Sequence, residues 1–130
     1  MLDTRLTIRR ASSLEVLRRI PFEAIAKSIL GASYELSLVI CGDQLARRMN
    51  IEYRKKTYAP NVLSFPLSKT EGEIFLNVPK AAREALHYSH TTRAHVAYLF
   101  IHGCFHLKGL DHGAGMEKQE AQLMKEFKFS

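Results

Sequence analysis

Apolar and polar positions follow two rhythms along this chain, and each change of rhythm marks the edge of an element. Arg5 to Arg9 alternates as an opening strand does. Ser12 or Ser13 is placed to cap a helix starting at Leu14, and Pro21 interrupts it, giving either a kink or a short helix followed by a longer one from Pro21 to Leu30 that closes at Gly31. Tyr34 to Ile40, rich in β-branched and aromatic residues, is the strongest strand signal. Asp43 stands where it would cap the next helix, which carries Leu45, Met49 and Tyr53 on one side. Val62 to Phe65 and Gly72 to Asn77 read as two more strands joined by a polar turn. Val78-Pro79 opens a short helix through about Tyr88, and Thr91 or Thr92 caps a long apolar one. Gly109 ends that helix, and a last amphipathic helix with Met116, Leu123, Met124 and Phe127 follows Gly115. The order predicts an α+β fold: one domain over residues 1–130, with a mixed four-stranded sheet covered by helices. The order of strands within the sheet stays open.

Charge adds a partner class. Nineteen basic residues stand against 13 acidic in 130, a net charge of +6, so the surface attracts polyanions, nucleic acid first among them. Arg47, Arg48, Arg54, Lys55 and Lys56 crowd one helix and its exit, a run that also fits a solvated helix face. A hydrophobic fraction of 46% suits a globular domain. No apolar run approaches the roughly 18 residues of a membrane span. Cys41 and Cys104 lack disulfide-like spacing, which fits a reduced, cytoplasmic setting.

Candidate chemistry gathers in the long helix. His102 and His106 are four positions apart, so their rings project from one face about one turn apart. The turn at Gly109 lets His112 swing back beneath them. Three imidazoles with a fourth position left for water make an open site of the catalytic-zinc type, holding one Zn2+ ion. Asp111 is placed to orient an imidazole or the bound water. Cys104, about 200° round the helix from His102, faces away and reads as buried. His95, two turns earlier, reads as structural. The spacing is that of the longer zincin signature, but Gly103 stands where the base glutamate of a peptidase would be.

His102-Gly-x-x-His106-Leu-x-Gly109-x-Asp111-His112 resembles the signature of the YbeY family of bacterial endoribonucleases. Asn50-x-x-Tyr53-Arg54-x-Lys56, Val62-Leu63-Ser64-Phe65-Pro66 and Gly72-Glu73-Ile74 match upstream in the family's order. Asn61, Leu110 and Phe105 depart from it, standing where the family usually has aspartate, tyrosine and leucine. The resemblance implies a zincin-like metal-site helix and a zinc-dependent endoribonuclease acting on single-stranded RNA. Its expected setting is the maturation of ribosomal RNA and quality control of the ribosomal small subunit. It also implies a catalytic, phosphate-holding role for Arg54, with Arg54, Lys56 and Ser64 as substrate-binding residues. Ser64 reads equally well as an ordinary strand residue, and Glu73 as either an exposed strand carboxylate or the base. Two other functions fit the residues: an RNA- or ribosome-binding protein with a structural metal, and a small metallohydrolase or peptidase.

Overall fold

The computed structural model describes residues 5–10, 17–110 and 113–129. The helix expected from Leu14, with its serine cap, begins outside these residues. Three strands, β1 (Arg5–Arg10), β2 (Glu35–Cys41) and β4 (Glu71–Asn77), run parallel, and β3 (Val62–Pro66) pairs antiparallel with β4. The sheet is four-stranded with order β1-β2-β4-β3, which leaves β3 at an edge.

The period-2 alternation of these strands divides the core between the two faces of the sheet. Leu36, Leu38 and Ile40 of β2 and Ile74 and Leu76 of β4 share one face with the main core. Val39, Cys41, Leu63 and Phe75 share the other, where they meet Ala46 of α2 (Asp43–Arg54). On the first face lies α4 (Thr92–Lys108), with α1 (Phe22–Leu30), α3 (Val78–Ala85) and α5 (Ala114–Glu126) packed around it. Such enclosure explains why α4 is apolar nearly all round: Val96, Ala97, Phe100, Ile101 and Cys104 are fully buried. Phe22 of α1 meets Phe100 edge-on at 4.9 Å between ring centroids.

Local signals set most ends of these elements. Thr91 caps α4 through its hydroxyl, which accepts from the Ala94 N–H at 3.1 Å. Gly109 closes the helix at φ 99°, and the Gly109 and Leu110 N–H groups donate to the carbonyls of His106 and Phe105, the pairing of a Schellman motif. The expected helix through Tyr88 is shorter: α3 ends at Ala85, and a 3-10 turn over Leu86–Tyr88 runs to Ser89 at φ 54°. The expected cap at Asp43 needs correction. Gly42 takes the cap position, and the Asp43 carboxylate instead accepts two bonds from Arg83 at 2.9 and 3.0 Å and one from Asn77 at 2.8 Å. The hydrogen bonds from Arg83 and then Asn77 hold the Asp43 carboxyl below its ordinary pKa.

Candidate functional site

The site is built where α4 crosses the edge of the sheet. Close approach there depends on Gly103: a Cβ at this position would lie 3.0 Å from Ser64 Oγ, 3.2 Å from Ile74 Cδ1 and 3.3 Å from Val62 Cγ2. The Ser64 hydroxyl donates to the Gly103 carbonyl at 2.9 Å and ties β3 to α4. His102, one position earlier on the helix, is thereby turned toward the space beside β3.

His102 and His106 behave as their spacing predicts, with Nε2 atoms 3.0 Å apart and rings edge-to-face at 4.5 Å. Two nitrogens bound to one zinc ion at tetrahedral angles lie about 3.3 Å apart, so the observed pair fits two ligands of a shared cation. The remaining nitrogen of His102, Nδ1, meets Glu120 Oε2 of α5 at 2.5 Å. With the Nδ1–H donating to that carboxylate, the Nε2 lone pair is the one offered to the cleft. His112 and Asp111 lie outside the described residues. Among those residues no group of three or more His, Cys, Asp or Glu side chains could hold a metal.

Glu120 is the residue that reading the sequence missed. Its signal was present: it falls midway between Met116 and Met124 on the buried stripe of α5, and a carboxylate only 3% exposed on an apolar stripe calls for a partner.

The space in front of the histidine pair is a cleft of about 540 Å³, lined also by Arg54, Lys56, Ser64 and Lys80. Three cations and no carboxylate line it among the described residues, an environment for an anion. Arg54 ends α2 and reaches over the sheet edge, donating from Nη2 to the Ser64 carbonyl at 2.9 Å with its guanidinium 5.5 Å from the Phe65 ring centre. Lys55 turns left-handed at φ 58°, and the chain reversal there brings Lys56 back to the cleft. Ser64 thus contributes to the cleft through its backbone, while its hydroxyl serves α4. Glu73 is half-buried on β4 opposite Phe65 and does not line the cleft.

Behind the histidines, Tyr98 lies between the rings of His95 and His102, at 5.9 and 6.2 Å. His95 is 2% exposed, near Glu84 Oε1 at 3.3 Å and His90 Nδ1 at 3.4 Å, and burial above all lowers its pKa. Asn61 donates to the same Glu84 oxygen at 3.0 Å, an amide where a second carboxylate would meet like charge. Cys104 is buried with its thiol pKa pushed up, and Cys41 is pushed up to about 11, both by desolvation first, so neither is a nucleophile at neutral pH.

Residues 3–128 match the family model described as Endoribonuclease YbeY. This chain belongs to the YbeY family. Proteins called Endoribonuclease YbeY from Aromatoleum aromaticum and Polynucleobacter asymbioticus are 37% and 34% identical to it over 127 residues; the alignments cover 92% and 88% of this chain and 82% of each relative. A similarly named protein from Methylobacillus flagellatus is 37% identical over 107 residues, covering 80% of this chain and 70% of that one. The fold is shared with a Thermotoga maritima protein solved in solution, at a TM-score of 0.68 and 20% identity over 94% of this chain and 88% of that one. No helix among the described residues is long and apolar enough to cross a membrane.

Proposed function

We propose that this YbeY-family chain is a metal-dependent endoribonuclease that cuts single-stranded RNA, with ribosomal RNA of the small subunit as its expected substrate. The observation that carries the reading is the placing of the Glu120-backed His102–His106 pair in a cleft lined by Arg54, Lys56 and Lys80 and, among the described residues, by no carboxylate. His102, His106 and His112 would hold the metal, zinc by the chemistry of the donors, in a zincin-like arrangement. When bound, such an ion polarises a phosphoryl oxygen and lowers the pKa of water toward about 7.

The chain's own residues do the rest. Glu120 fixes the tautomer and orientation of His102 through Nδ1. Arg54 uses one bond on the Ser64 carbonyl to hold its guanidinium at the cleft wall, and its other N–H groups are donors for a phosphate whose charge grows in the transition state. Lys56 and Lys80 add positive charge without the planar two-pronged geometry. A peptidase reading lacks its base: at Gly103 the contacts to Ser64, Ile74 and Val62 leave no room for a glutamate side chain.

The test is metal-loaded protein incubated with single-stranded RNA, fully paired RNA and casein. Cleavage of the single strand alone, abolished by chelation and restored by zinc, is the expected result. Intact RNA with metal bound would refute the reading.

A further inference from the structure

Beside the cleft lies a larger concavity of about 920 Å³, and the two share Tyr58 and Lys80 as common walls. The loop between them is pinned at three successive carbonyls. Tyr58 O accepts from Asn50 Nδ2 at 3.0 Å, Ala59 O from Lys80 Nζ at 2.5 Å, and Pro60 O from Asn77 Nδ2 at 3.1 Å. Its backbone is therefore held while the Tyr58 ring is left 55% exposed, with Lys80 Nζ 5.7 Å from the ring centre. An outward-facing aromatic ring on a held backbone, between two cationic hollows, is what a nucleobase stacks on.

The lining of the larger hollow points to the same ligand. Arg47, Arg48, Lys80 and Arg83 stand against Asp43 and Glu52. Arg83 and Asp43 neutralise each other at 2.9 Å, which leaves Arg47, Arg48 and Lys80 against Glu52, a surplus of two positive charges. Ile51, 45% exposed, adds an apolar contact surface in the same hollow.

We propose that this second hollow is a subsite of one continuous single-stranded RNA groove, taking nucleotides that flank the bond cut in the cleft, with a base stacked on Tyr58 and phosphates on Arg47 and Arg48. The inference rests on the endoribonuclease reading above and extends it. The enzyme then grips several nucleotides on one side of the scissile bond, and longer strands bind better than short ones.

The experiment compares oligoribonucleotides of about four and about twelve nucleotides, lengths within and beyond one short binding site. Wild-type protein is expected to bind the longer strand at least about tenfold more tightly, since one stacked base alone contributes about that much. Replacing Arg47→Ser, Arg48→Ser and Tyr58→Leu together is expected to shrink that advantage below about threefold, and the salt slope for the longer strand should fall by about 1.4 for two lost phosphate contacts. Tyr58→Phe should retain the advantage. The chain contains no tryptophan, so Tyr58→Trp supplies a single reporter whose fluorescence is quenched when a base stacks on it, read by stopped flow before turnover. An undiminished length advantage in the triple variant, or an unquenched reporter with the longer strand bound, overturns the subsite. Metal-loaded wild-type protein that cleaves neither strand overturns the endoribonuclease reading and the subsite with it.

Discussion

Gly103 and Ser64 meet backbone to side chain: the serine hydroxyl donates to the glycine carbonyl at 2.9 Å, and the space where a Cβ would stand is already within 3.0 Å of the same oxygen. That contact sets how closely α4 approaches the edge strand and hence how far His102 and His106 stand from Arg54. It also ties the absence of a peptidase base to packing, since the position that would carry it is the one that must be bare.

Gly103→Ala should destabilise the fold by about 1 kcal/mol, with overpacking of about 1–3 kcal/mol outweighing the roughly 1 kcal/mol that alanine gains in a helix. The Ser64 oxygen cannot retreat without giving up its bond. Denaturant midpoints check this, and a double-mutant cycle is sharper: Gly103→Ala should cost less on a Ser64→Ala background. Additive effects would mean that the contact does not govern the spacing.

Metal affinity should depend on α5 as well as α4. Glu120→Gln is expected to weaken zinc binding by about 10- to 100-fold, the range for removing a carboxylate behind a ligating histidine, and His106→Ala should remove most of it. Competition against a chromophoric chelator measures both. Full, tight zinc occupancy in the His106→Ala protein would end the ligand assignment.

Arg54→Ala should keep its metal and slow single-turnover RNA cleavage on the order of 10²-fold, the usual loss for one preorganised donor. Lysine should rescue in part, because it restores charge without the two-pronged contact. Equal rates in metal-matched wild-type and Arg54→Ala proteins would return Arg54 to the solvated arginines.

His95 makes stability depend on pH. Burial is the main cause of its lowered pKa, so the unfolded chain binds the proton more readily than the folded one. The stability His95 contributes is complete above its ordinary value of 6.5 and is lost as pH falls below it. Urea midpoints at about pH 7.5 and about pH 5 should therefore drop toward acid, and less steeply in His95→Asn protein. An unchanged slope in that variant would place the acid sensitivity elsewhere.

Much of this architecture is legible without coordinates because it is local. The alternation of Leu36, Leu38 and Ile40, the Thr91 cap, the left-handed stop at Gly109 and the one-turn spacing of His102 and His106 all depend on residues a few positions apart. Backbone geometry turns such spacings into shape whatever the rest of the chain does. Asp43 shows where that logic ends: locally it is a helix cap, but Arg83, forty positions away, offers its carboxylate a charged partner and wins. Glu120 behind His102, Arg54 against the Ser64 carbonyl, β3 at the sheet edge and the loop that lifts Tyr58 between two hollows were likewise decided only in three dimensions. Each joins segments that no helical or strand period connects, and their meeting depends on how every intervening element packs.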